Sequence, residues 1–281
     1  NSLMKGINPI VKTKHEGGIY CHEDPMIHLL ENGLVIQVGN GLFVLKGISS
    51  KKINFFYRSY IKSKINALPF VTCKLAVSKD FYMINRKKRW ITNQFSRSRV
   101  HLMRASHDCI ITSCKTILKD NSQLTCRING LEKRSPSRVI LDNNLKISLN
   151  SKILKNAKYF DTIIFYNKFD IKKIKLLKKL KVRTFKIPLD PSNNLDLRKV
   201  LTKIKKLGFY RVFLESGKRL AFNFLSNNLV DDLKLFISNE KLGLNGMNNV
   251  KKGLNLFLKG KKPIKEKVNL FGDKLINYSI K

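Results

Sequence analysis

Lys74 stands inside an apolar run, Pro69-Phe-Val-Thr-Cys-Lys-Leu-Ala-Val-Ser78. Its Phe70, Val71, Leu75 and Val77 suit a buried strand. A lysine in that setting snorkels, pairs with a carboxylate, or presents a cation to an anionic or carbonyl-rich ligand. A second group follows another apolar run, Asp108-Cys-Ile-Ile-Thr112, after which the chain turns polar with Ser113, Thr116, Asp120, Thr125 and Arg127. Polar loops at the carboxyl ends of parallel strands are where open α/β sheets bind ligands. A third group is Glu215-Ser-Gly-Lys-Arg-Leu-Ala221. A glycine at a strand-to-helix turn offers backbone N–H groups to a phosphate, and Lys218 and Arg219 add charge beside it. Cys21-His22-Glu23 with His28 is the nearest approach to a metal cluster, but no fourth ligand has standard spacing, so a polar surface loop is the reading. The H-x-E and P-C-x-x-C pairs with which a zinc deaminase holds metal and activates water are both missing. No metal site is expected.

The elements that must position these groups alternate. Thr92 is the expected N-cap of a helix whose apolar face is set by Phe95, Val100, Leu102 and Met103. Ser137–Asp142, Thr162–Tyr166, Val182–Ile187, Tyr210–Glu215 and Leu229–Ile237 read as strands. Leu197, Val200, Leu201, Ile204 and Leu207 mark an amphipathic helix closed by Gly208, and Leu220, Ala221, Phe224 and Leu225 mark another helix face. Strands alternating with helices predict an α/β fold with a mostly parallel, doubly wound sheet. Nearer the start, Glu31–Gly39 reads as a turn and an alternating strand, and Ile53–Lys62 as a helix leading to Pro69. Residues 245–281 are Lys-rich, with Val268–Phe271 as a candidate last strand.

Composition sets the outer limits. The 281 residues are 43% hydrophobic, enough for a core, and no apolar stretch approaches a membrane span. The start, Asn1-Ser-Leu-Met-Lys5, lacks the apolar core of a signal peptide. Because residue 1 is not Met, an upstream part is expected. Five cysteines, Cys21, Cys73, Cys109, Cys114 and Cys126, without C-x-x-C spacing, favour reduced thiols and a cytoplasmic setting. The net charge of +37 is spread along the chain. In Lys172–Lys181 it sits on what reads as a solvated helix face, which argues for no specific nucleic-acid partner, although a basic chain can bind polyanions non-specifically.

Trp90-Ile-Thr, Arg99-Val-His-Leu-Met-Arg-Ala, Thr116-Ile-Leu-Lys-Asp and Gln123-Leu-Thr-Cys-Arg127 occur in order over residues 90–127. Glu215, Gly217, Leu220, Ala221, Leu229-Val-Asp-Asp232 and Lys241-Leu-Gly243 follow them. This set resembles the reductase domain of the bacterial bifunctional riboflavin-biosynthesis deaminase/reductase, well over residues 69–243 and faintly before. The resemblance implies a dihydrofolate-reductase-like domain over residues 69–281, preceded by a deaminase-domain remnant and linker over residues 1–68. It implies reduction of the ribose of 5-amino-6-(5-phosphoribosylamino)uracil by NADPH in a homodimer, the chemistry being carried by the nicotinamide. It places Lys74, Lys88, Arg104, Leu124, Arg127 and Glu215 at the substrate, with Arg104 and Arg127 as a guanidinium clamp for phosphate. It places Val77, Trp90, Thr116, Asp120, Asn143, Gly217, Lys218, Arg219, Leu220 and Ala221 at NADPH. No residue is assigned a catalytic role.

The chain departs from the family pattern at four places. Asp80-Phe81 replaces Asp-Gly, and Phe resists the positive φ that glycine accepts. Lys88 stands where a serine is usual, Asn121-Ser122 where Asp-Pro is common, and Lys218-Arg219 where Pro-Thr is usual. These changes leave an inactive homologue as the alternative to the enzyme, alongside a basic nucleic-acid-binding protein.

Overall fold

The computed structural model describes residues 57–62 and 65–281, together with the backbone of strands β1 (Met26–Leu30), β2 (Gly33–Val38) and β3 (Gly41–Leu45). The chain divides into two compact units, Asn1–Arg58 and Ser59–Lys281. In the first, β1–β3 form an antiparallel sheet in sequence order. The alternating strand expected within Glu31–Gly39 is β2. The Cys21-His22-Glu23 and His28 candidate lies outside the residues whose side chains are described. Of the helix expected over Ile53–Lys62, only residues 57–62 are described, and they are helical.

The second unit is built on a nine-stranded sheet. Its parallel part contains β4 (Phe70–Val77), β6 (Cys109–Ser113), β7 (Ser137–Leu141), β8 (Thr162–Tyr166), β9 (Arg183–Lys186), β10 (Arg211–Glu215) and β11 (Asp232–Ile237), in the spatial order β11-β4-β10-β6-β7-β8-β9. The antiparallel strands β13 (Pro263–Lys265) and β14 (Lys274–Ser279) extend the β11 edge. A separate pair joins β5 (Tyr82–Asn85) to β12 (Gly246–Asn249). Helices cover both faces. Val200, Leu201 and Ile204 of α5 (Leu197–Lys206), Ala221 and Phe224 of α6 (Lys218–Ser226) and Leu254 of α7 (Lys251–Leu258) share one core with Val71, Cys73, Val212 and Leu214. The opposite core holds Val100 and Met103 of α1 (Gln94–Ala105), Ile117 of α2 (Cys114–Asp120), Leu154 of α3 (Lys152–Lys155) and Leu177 of α4 (Ile171–Lys179), with Ile110, Ile140, Phe213 and Phe236. This is the mostly parallel α/β sheet that the strand–helix alternation predicts. Among the described residues no helix is long and apolar enough to cross a membrane.

The strand order positions the site. Strands β6 to β9 are laid outward, then β10 returns between β4 and β6, and β11 takes the other flank of β4. The carboxyl ends of β4, β10 and β6 therefore meet where the order reverses, which is the ligand crevice of open α/β sheets.

Several local expectations are corrected. Asn93, not Thr92, caps α1, its side chain accepting from the Ser96 N–H at 3.0 Å. Phe95 and Leu102 point outward, and the buried face of α1 is Ser96, Val100, Met103 and Arg104. The polar stretch after β6 is the short helix α2, capped by Ser113. Val268–Phe271 is not a strand. The last strand is β14, whose apolar pattern is interrupted by buried Asn277.

Candidate active site

Alternation along β4 and β10 aims Lys74 and Glu215 at the face that packs against α1. The strands are in register, with Glu215 opposite Lys74. Arg104, in the last turn of α1, reaches down to the same point. Its Nε and Nη2 donate to the two Glu215 carboxylate oxygens, both at 2.9 Å, and its Nη1 donates to the Thr125 carbonyl at 3.0 Å. The bidentate fork is the strong form of this interaction, and Arg104 is only 8% exposed. Burial alone would raise the Glu215 carboxyl, but the charges of Arg104 and Lys74 and the Arg104 hydrogen bonds hold it at about 2. Lys74 is lowered by burial, with Glu215 opposing and Arg104 adding to the shift. Its ammonium lies 5.9 Å over the Phe236 ring.

Arg127 joins the cluster through His101, one helical turn before Arg104 on α1. The Arg127 backbone N–H donates to His101 Nδ1 at 3.1 Å, and the Arg127 Nη2 lies 3.2 Å from His101 Nε2. His101 is depressed to about 4, by burial first and then by Arg104 and Arg127. It carries no obvious sequence signature, yet its i, i+3 spacing to Arg104 was a usable signal.

The structure thus brings together four of the six residues the resemblance places at the substrate, Lys74, Arg104, Arg127 and Glu215. It corrects the expected clamp, because the Arg104 fork is already spent on Glu215 and Thr125. Lys88 stands at the surface, paired with Glu240 at 3.2 Å, both side chains more than half exposed. Leu124 is buried in the core, with a left-handed φ of 58°.

The second group lies along the neighbouring strand ends. Thr116 is linked to Ser113, hydroxyl to hydroxyl, at 2.9 Å. The Asp120 carbonyl accepts from Arg89 Nη2 at 3.1 Å. Asn143, just past β7, has a buried Oδ1 without a hydrogen-bond partner among the described residues, as has the Thr112 hydroxyl at the end of β6. Gly217 is the N-cap of α6 without a side-chain cap bond, and the space a Cβ would fill there is open. Lys218 Nζ donates to the Asn249 carbonyl at 3.0 Å and Arg219 Nη2 to Asn194 Oδ1 at 3.3 Å. Leu220 packs against the core and Ala221 lies within it, while Val77 is fully buried at the end of β4. Trp90 is not a core residue. It is 53% exposed, with the guanidinium groups of Arg89 and Arg97 4.8 and 5.2 Å from its ring centre.

The model of the RibD C-terminal domain family matches residues 69–262. The chain belongs to this family. The riboflavin biosynthesis protein RibD of Aquifex aeolicus (strain VF5) is 28% identical over 230 residues, covering 81% of this chain and 61% of its own length. RibD of Buchnera aphidicola subsp. Baizongia pistaciae (strain Bp) is 30% identical over 237 residues, covering 78% and 61%. The chain therefore spans about three fifths of the curated relatives it matches. Among solved structures, Acinetobacter baumannii RibD (form 1) shares the fold at TM-score 0.68 and 22% identity, over 83% of this chain and 64% of that one. The riboflavin biosynthesis reductase Rib7 of Saccharomyces cerevisiae shares it at TM-score 0.60 and 19% identity, over 81% and 99%.

One departure from the RibD pattern is absorbed by the structure. Phe81 adopts φ 67°, the conformation glycine takes freely. A non-glycine residue there costs about 1–2 kcal/mol. Asp80 holds the turn against that cost, accepting from the Ser78 hydroxyl at 2.6 Å and from the Leu242 and Gly243 N–H groups at 3.0 and 2.8 Å. Burial would raise the Asp80 carboxyl, but these hydrogen bonds bring it down to about 2.

Proposed function

We propose that this RibD C-terminal domain reduces the ribose of 5-amino-6-(5-phosphoribosylamino)uracil to the ribitylamino product in riboflavin biosynthesis, with NADPH as reductant. The observation that carries the reading is the cluster of Lys74, Arg104, Arg127 and Glu215 at the reversal of strand order. It is a fixed, largely cationic surface for an anionic, oxygen-rich substrate, and its charges are oriented before any ligand arrives.

The strand ends beside it fit the dinucleotide. The open Gly217 position at the start of α6, the adjacent cations Lys218 and Arg219, and the unpartnered Asn143 Oδ1 are features that a phosphate-bearing, hydrogen-bonding cofactor would use. Thr116, Asp120 and Trp90 complete the proposed wall. When bound, the cofactor supplies the hydride. The chain's own part is to hold the ribose and its phosphate, to orient them through Arg127 and the Arg104–Glu215 pair, and to keep Lys74 against the substrate. The extra phosphate of NADPH gains charge-assisted hydrogen bonds from such cations, about 1.5–3 kcal/mol each, so NADPH should bind more tightly than NADH. Equal affinities in a titration would remove that preference.

The reading is tested by following NADPH oxidation with the purified aminouracil substrate. Loss of absorbance that depends on the substrate supports it, and none at any substrate concentration removes it. The homodimer implied by the family is part of the same proposal, and light scattering that finds only monomer at micromolar concentration would remove that part.

A further inference from the structure

His101 and Arg127 meet in a way that leaves something out. The Arg127 backbone N–H can only donate, so His101 Nδ1 must accept it, at 3.1 Å. The imidazole proton then resides on Nε2, and protonating the ring would leave Nε2 a donor still. Facing Nε2 at 3.2 Å is Nη2 of Arg127, which is also only a donor. Two donors therefore point at one place, and no protein oxygen in the described structure accepts from both.

The charge around that place is also uncompensated. Lys74 (when protonated), Arg104 and Arg127 face the single carboxylate of Glu215, leaving two positive charges in excess. That matches a phosphate monoester near neutral pH, about −1.5 to −2. Arg104 cannot serve as its fork, since all three of its nitrogens are hydrogen-bonded within the protein.

We propose that His101 Nε2–H and the Arg127 guanidinium form a two-donor seat for one phosphate oxygen, that of the phosphorylated ribose, and that His101 is thereby a specificity-determining residue. The source of the phosphate rests on the reductase reading. The existence of the seat does not. The neutral ring at physiological pH is consistent with this arrangement, since burial, Arg104 and Arg127 oppose its protonation while Glu215 and the Thr125 carbonyl favour it.

The test uses the intact chain with ¹⁵N-labelled histidine, the His101 signal being assigned by its loss in His101→Gln. Saturating D-ribose 5-phosphate should raise the His101 pKa by about one unit, because an anion beside Nε2 favours the imidazolium, while His107 stays unmoved. Adenosine 2′,5′-bisphosphate, a probe of the cofactor's phosphates, should leave His101 unmoved. Two variants separate the ring's roles. His101→Asn keeps an acceptor for the Arg127 N–H but has no donor where Nε2 stood. His101→Gln can place an amide N–H near that position. Ribose 5-phosphate affinity should fall about tenfold or more in His101→Asn and recover most of the loss in His101→Gln. An unmoved His101 signal, or equal loss in both variants, would overturn the seat. Movement with the bisphosphate instead would overturn its assignment to the ribose phosphate. None of these readouts needs turnover, so a failed reductase assay leaves the seat standing, and turnover with an unresponsive His101 leaves the reductase standing without it.

Discussion

Around Glu215 the polar groups are tied to one another, whereas along the ends of β6, β7 and the start of α6 several are left over. Glu215 takes both arms of Arg104, and Arg104 takes the Thr125 carbonyl as well. By contrast, Asn143 Oδ1 and the Thr112 hydroxyl are buried without partners among the described residues, and Gly217 leaves open space. The first region is already assembled and contributes to folding. The second contributes less to folding and has more to offer a ligand. A substitution in the paired region should therefore damage stability and activity together, and one in the open region should touch binding alone.

The largest effect is expected at Glu215. Glu215→Ala strands the buried Arg104 guanidinium, and breaking a buried pair from one side costs about 3–5 kcal/mol. A denaturant melt should show that loss, and turnover should vanish with it. A melt within about 1 kcal/mol of the parent would mean that the fork is not the organising contact.

Acid should act on the same region. The Glu215 carboxyl is held at about 2 in the folded chain, below its unfolded value near 4.3. Its contribution of about 3 kcal/mol is present above that unfolded value and is lost as pH falls toward 2. His101 and His107 are depressed to about 4, and burial is the first cause at both. The unfolded chain therefore takes up their protons first, and stability should begin to fall below about pH 6.5. The melting temperature should decline in two stages, and His107→Gln should flatten the upper one.

Arg127 marks the edge between the regions, since its side chain is exposed and its charge is turned toward the ligand. Arg127→Ala should cost about 1.5–3 kcal/mol of binding, or about 10- to 150-fold in kcat/KM, with little change in the melt. Arg127→Lys should recover only part, because a lysine lacks the fork. At the open end, Lys218→Ala and Arg219→Ala should each weaken NADPH binding by about tenfold or less and leave stability intact. Lys178→Ala, on α4 far from either region in the chain, should change neither.

How much of this could be read beforehand depended on the range of the interaction. The burial of α5 followed from Leu197, Val200, Leu201 and Ile204, since a helix states its inner face within a few turns. Strands β4 and β10 were legible as apolar runs. The fork between Arg104 and Glu215 was not, because 111 residues separate them and only the strand order brings them together. Helix α2 was hidden by its polar content, with only Cys114 and Ile117 buried. Strand β14 was hidden by Asn277, a polar side chain at a buried position. Phe81 misled in the other direction, since the substitution argued for a changed turn and the Asp80 hydrogen bonds preserve a left-handed one.

The central claim is that the paired cluster presents a phosphorylated aminouracil ribose for reduction, with Arg127 as the ligand-facing cation. It is tested most directly by substrate-dependent NADPH oxidation in the parent chain and in Arg127→Ala, measured side by side with their melting curves. The account predicts turnover in the parent, a 10- to 150-fold lower kcat/KM in the variant, about as in the estimate above, and superimposable melts. Parent turnover that Arg127→Ala leaves untouched would contradict it.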